Sequence, residues 1–168
     1  IFYTKKNKSF KIMHVTNLNE RFDGRLHYNT GRRLNNGFIR NGHNVLTLSD
    51  RDIIHNYKGI KDFSGKQTLQ NKIIEAFNNF KPDIVILGHA DRVLNSTLSK
   101  MREINKDIVF SQWFLDPLSK YGPDHKSNSK RILDKKEFLN TTFLTTDPSA
   151  LSINIPCLLY TSDAADEL

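Results

Sequence analysis

The chain has 168 residues, 38% of them hydrophobic, which is enough for one domain with a full core. Lys and Arg outnumber Asp and Glu by 25 to 18, a net charge of +7, and a single cysteine excludes a disulfide framework. No apolar run is long enough to span a bilayer and no signal-type segment opens the chain, so a cytoplasmic protein is expected, with peripheral contact at membrane surfaces left open.

Residues 1–10 read as an N-terminal extension. Residues 11–17 (Lys-Ile-Met-His-Val-Thr-Asn) then predict a first strand, and the polar loop over 18–29 carries Asp23, Gly24, Arg25 and His27. From about Thr30, Leu34 and Phe38 recur at helical spacing. Gly37 costs that helix roughly 1 kcal/mol relative to Ala, which suggests close approach to a strand. Asn41-Gly42 should end the helix, because Gly adopts the left-handed conformation without a Cβ clash. Residues 43–48 alternate into a second strand, whereas 49–66 give mixed signals and are expected to be mostly irregular.

Leu69, Ile73, Ala76, Phe77 and Phe80 mark a helix over 68–80, followed by Pro82. Next, Ile84-Val85-Ile86-Leu87 is a short apolar run bounded by Pro82-Asp83 and Gly88, which reads as the central, doubly covered strand of a parallel sheet. A helix through Leu94, Leu98, Met101 and Ile104, a strand over 107–114, a helix over 129–139 and a strand over 142–146 complete the pattern. Strand and helix alternate throughout, so the expected fold is α/β, a Rossmann-like doubly wound parallel sheet of about five strands in a single domain.

Several chemistries are disfavoured by spacing. Residues 59–66 end in Gly-Lys, but Gln67 stands where a phosphate-binding loop needs Ser or Thr for magnesium. The first strand lacks the Gly-x-Gly-x-x-Gly that lets backbone approach a dinucleotide. The six histidines show no ligand-type pairing, so no metal and no cofactor is expected. Basic clusters such as Lys135-Lys136 are short and lack interleaved aromatics, so the charge reads as compositional and no nucleic-acid partner is expected.

Residues 157–168, Cys-Leu-Leu-Tyr-Thr-Ser-Asp-Ala-Ala-Asp-Glu-Leu, resemble a translated sequencing adapter and are set aside as a probable non-native tail. Without them the chain has no cysteine, which excludes thiol catalysis. Opening at Ile1 and closing on such a tail, it reads as part of a longer frame.

The stretch from Arg32 to Leu48, with a helix ending in Gly42-His43 before a Val-containing strand, resembles glycosyltransferases of the two-domain GT-B fold. Pro82-Asp83-Ile84-Val85-Ile86-Leu87-Gly88-His89 and Gln112-Trp113-Phe114-Leu115-Asp116-Pro117 are similar to their spore-maturation-protein-like bacterial branch. The resemblance covers roughly residues 11–150. It implies half of a GT-B fold, residues 11–156, that holds the sugar acceptor. The nucleotide-sugar donor would lie on a C-terminal domain absent from this chain, so this chain alone is expected to be inactive.

Candidate residues lie where strands end. His89, Asp91 and Asp116 are candidate catalytic groups, since a base must accept the proton of the acceptor hydroxyl. An equal alternative is that His89 only caps or hydrogen-bonds the Gly88 turn, and Asp116 before Pro117 is also a common turn starter. Asn17, Asp23, Gly24, Arg25, Gly88 and Trp113 are candidate substrate contacts, Trp113 through its flat face and Arg25 through its fork for anions; a core Trp and a solvated loop are the simpler accounts. The alternative function is a flavodoxin-like or receiver-like binding module without catalysis. Thr16-Asn17 stands where a receiver needs paired acids.

Overall fold

The computed structural model describes residues 8–60, 62–147, 149, 151 and 158–160, the last three as backbone only. Strands β1 (Lys11–Thr16), β2 (Asn44–Ser49), β3 (Ile84–Gly88), β4 (Val109–Phe114), β5 (Thr141–Leu144) and β6 (Leu158–Tyr160) form one sheet in the order β2-β1-β3-β4-β5-β6. Every pairing is parallel. The expected α/β Rossmann-like fold is therefore found, with β3 inside the sheet between β1 and β4. Strand β6 adds a sixth member at the edge from residues set aside with the tail. The remaining residues of that tail and residues 1–7 of the extension lie outside the described residues.

Helices α1 (Thr30–Arg40), α2 (Asp50–Asn56), α3 (Lys66–Phe80), α4 (Asn95–Ile104) and α5 (His125–Leu133) fill the crossovers. Strand alternation sorts the core into two faces. Met13, Val15, Val85, Leu87 and Phe110 pack with Leu69, Ile73 and Phe77 of α3 and Leu98 and Met101 of α4. On the same side Phe114 and Leu144 meet Ile132 of α5. The opposite face sets Ile12, Ile86 and Trp113 against Leu34 and Phe38 of α1. Replacing a wholly buried residue such as Phe110 by Ala would cost about 3–5 kcal/mol.

Three local expectations are corrected. Residues 50–56 form α2 rather than irregular chain, because Asp50 and Asp52 in the first turn suit a helix N-terminus and Ile53 and Ile54 pack on the core. The helix expected at 129–139 is α5 at 125–133. Phe138 and Leu139 still reach the core, but through successive turns, Lys136 N–H to Leu133 O and Phe138 N–H to Lys135 O, that carry the chain back to β5. At Gly37 a Cβ would meet nothing within 4 Å, so no strand approaches there. The close approach is at Gly31, where a Cβ would lie 2.8 Å from Thr16 Oγ1. The end of α1 is as expected: Gly42 has φ +83°, and the Gly42 and His43 amides donate to Ile39 and Phe38 carbonyls in a Schellman pattern.

Candidate functional site

The parallel register aligns Ser49, Thr16, Gly88, Trp113 and Phe143 in one row across five strands. The residues just beyond that row rise from the carboxyl edge. A pocket of about 440 Å³ opens there, where β1 leads to β2 on one side and borders β3 on the other. Asn17 follows β1, His89 follows β3, and Leu115 and Asp116 follow β4; all four line the pocket with Trp113.

Trp113 forms the floor and is held from below. Its indole N–H donates to Nε2 of His14, 3.1 Å away in β1. Burial drops the His14 pKa to about 4, with the Asn35 side chain close enough to oppose this in part but outside hydrogen-bond geometry. His14 is therefore a neutral acceptor for the indole at physiological pH. Gly88 is required beside it, because a Cβ there would sit 2.2 Å from the Trp113 ring.

His89 has φ +49°, a conformation that costs a non-glycine residue about 1–3 kcal/mol and persists only where its surroundings impose it. Its ring stacks on Phe114 at 4.5 Å, and Nε2 accepts the Leu115 N–H at 3.4 Å. Nδ1 lies 3.6 Å from Asp116 Oδ2. Burial holds the His89 pKa below its ordinary 6.5, with Asp116 opposing in part. The neutral ring must keep Nε2 unprotonated for Leu115, so its proton sits on Nδ1, facing Asp116. His89 thus accepts the amide that follows β4 and turns Nδ1 toward Asp116, beyond hydrogen-bond distance; Asp116 is half-exposed and also lies 3.8 Å from Arg131 Nη1.

Asp91 is turned away from this pocket. Its Oδ1 accepts from Arg51 Nη2 at 3.2 Å and its Oδ2 lies 3.4 Å from Arg92 Nε. Asp23, Gly24 and Arg25 are exposed in the 17–29 loop and do not line the pocket. Of the nine candidates, Asn17, His89, Trp113 and Asp116 share it, and Gly88 shapes its floor.

Other lining residues escaped the sequence reading. Asn29, Thr30 and Gly31 begin α1, with the Asn29 side chain capping Arg32 N–H at 2.9 Å and donating to Leu18 O at 2.8 Å. Asn before a helical run is a readable cap signal. Arg51 and Arg131 come from α2 and α5, and no local pattern marks either.

A second cavity, also about 440 Å³, shares Arg51 and is lined by Arg21, Lys58, Lys66 and Arg92 as well. Two buried polar groups place Arg21 and the loop that carries Arg92. Asp52 accepts from Ser49 Oγ, the Glu20 and Arg21 amides and Arg21 Nη1 at 2.8 Å. Burial pushes its pKa up, but those hydrogen bonds outweigh burial and hold it below the ordinary value. Gln70 of α3 donates to Arg92 O at 3.0 Å and accepts from Leu94 N–H and Thr97 Oγ1, pinning the loop after β3. Asp50 lies wholly buried beside Arg51, and burial raises its pKa to about 6.

Among the described residues no three His, Cys, Asp or Glu converge as a metal-binding group, and no helix is long and apolar enough to cross a membrane. No known protein family, curated protein or solved structure matches the chain.

Proposed function

We propose that this domain holds the acceptor for a glycosyltransferase that uses a nucleotide-sugar donor. The observation that carries this reading is the pocket where β1 and β3 diverge, with the His89–Asp116 pair at its rim and the Trp113 indole as its floor. An aromatic face suits the apolar C–H surface of a sugar ring. In this reading Asp116 accepts the proton of the acceptor hydroxyl, with His89 Nδ1 3.6 Å and Arg131 Nη1 3.8 Å from its Oδ2. The freed oxygen bonds to the anomeric carbon of the donor, and the bond from that carbon to the nucleoside diphosphate breaks, the diphosphate leaving with the electron pair. The donor itself is held by a second domain.

In the complete enzyme, Asp116→Asn is expected to lower turnover of a nucleotide sugar about 100-fold or more, the range of general-base loss. His89→Ala lowers it as well. Near-normal turnover in Asp116→Asn would remove the carboxylate from the chemistry. Turnover by the isolated domain would overturn the division of labour between two domains.

The strand order of β1 to β5 is also that of flavodoxin-like modules, which bind at the same divergence point without transferring a group. Binding at the pocket by a complete protein with no transfer to any acceptor would favour that second reading.

A further inference from the structure

The cavity beside the proposed acceptor pocket presents five cationic side chains, Arg21, Arg51, Lys58, Lys66 and Arg92, and no carboxylate lines it. The acids that hold these cations lie behind them: Asp52 under Arg21, and Asp91 between Arg51 and Arg92. Asp50, buried beside Arg51, is a third acid that stays out of the lining. Lys58 and Lys66 make no ion pair with any described residue, and the buried Nε of Arg51 has no hydrogen-bond partner among them. Asp62, behind Ser64 of the lining, is a fourth such acid, and even with all four ionised the five cations leave a net positive charge around a concavity of ligand size.

Three guanidinium groups and two ammonium groups offer more N–H donors than the two oxygens of a carboxylate can accept, and the three oxygens of a phosphoryl group suit them better. The N-terminus of α3 is not the source of the attraction, because Asp62 and Ser64 already cap the Thr68 and Lys66 amides. Phe63, which lines the cavity and is 83% exposed, offers apolar contact to whatever body carries the anion. Arg51 lines both cavities, so an anion held here sits next to the pocket that Asp116 lines.

We infer that Arg21, Arg51, Lys58, Lys66 and Arg92 bind the phosphoryl group of a phosphorylated acceptor, an inference that rests on the transferase reading of the neighbouring pocket. The test titrates the 168-residue chain calorimetrically with inorganic pyrophosphate at low and high salt. Expected is salt-sensitive binding that weakens at least tenfold in Lys58→Gln/Lys66→Gln and is unchanged in Lys100→Gln/Lys106→Gln, an exposed pair elsewhere. No binding, or equal loss in both pairs, would overturn the site.

Vesicles of phosphatidylcholine containing phosphatidate identify the source. Binding to them that pyrophosphate displaces assigns the phosphoryl group to a lipid. Pyrophosphate binding without vesicle binding assigns it to a soluble acceptor, and vesicle binding that pyrophosphate leaves intact contradicts the site. Transfer by the complete enzyme at full rate in Lys58→Gln/Lys66→Gln would refute the phosphorylated acceptor while the transferase reading stood. Anion binding without any glycosyl transfer would do the reverse.

Discussion

The pocket over Trp113 and the cationic cavity beside it enclose the same volume and share Arg51, yet their walls come from different parts of the chain. The first is set by sheet register: Thr16, Gly88 and Trp113 sit side by side on adjacent strands, and the next residues along project from one rim. The second gathers long side chains from three loops and two helices, with Asp52 holding Arg21 and Gln70 holding the backbone at Arg92. A pocket built on strand ends has rigid walls and short functional groups. One built on loops and helix starts carries adaptable charge, and the polar tethers behind it supply the order that register supplies next door.

Substitutions that disable one cavity at a time sharpen this contrast. The largest loss is expected for Asp52→Ala, which removes the acceptor of the Ser49 hydroxyl proton and of two amides and breaks the Arg21 ion pair, at a cost of about 3 kcal/mol. Chemical denaturation reads the loss. Pyrophosphate affinity should fall with it, while the emission of Trp113, the single tryptophan, stays unchanged.

Asp50→Asn has an effect of similar size that appears only as a pH slope. The folded pKa of Asp50 is raised from 3.8 to about 6, so its stabilisation is full below pH 3.8 and is lost as pH rises through 6. His14 works in the opposite sense. Its folded pKa is lowered from 6.5 to about 4, so its contribution is present above pH 6.5 and lost as pH falls through 4. The two oppose each other between about pH 4 and 6, and His89, also lowered, adds to the His14 side. Relative to the parent, Asp50→Asn should gain about 1.4 kcal/mol of stability per pH unit over that window. A parallel pair of stability curves would contradict the assignment of Asp50.

Gly88→Ala should cost about 2 kcal/mol, because a Cβ must displace the Trp113 ring and its bond to His14. Its signature is the mirror image of Asp52→Ala: Trp113 emission shifts and pyrophosphate affinity does not. Lys130→Ala marks the floor of the scale. Its exposed ion pair with Asp134 is worth under about 0.5 kcal/mol, and thermal melting should barely register it.

The same contrast explains what could be read from the amino-acid order. Gly88 and His89 follow an apolar run whose end is visible in one dimension, and Trp113 with Asp116 closes another, so one pocket was legible as a set of strand ends. Arg21, Arg51, Lys58, Lys66 and Arg92 lie up to seventy-one positions apart, and only crossovers through α2 and α3 unite them. The helix of residues 50–56 was hidden because Asp52 in its first turn is fixed by Glu20 and Arg21, partners about thirty positions away that are invisible locally. Asp91 looked free for chemistry, since nothing in the sequence reveals that Arg51 and Arg92 hold it from both sides. Leu139 kept helical spacing with its predecessors but reaches the core through turns, which apolar periodicity does not separate from a helix.

The most direct test follows Trp113 emission while the 168-residue chain is titrated with a series of methyl glycosides. The account predicts a saturable change with at least one glycoside, and its loss in Asp116→Ala. A flat response across the whole series from a chain shown to be folded by circular dichroism, or a response that Asp116→Ala leaves intact, would contradict it.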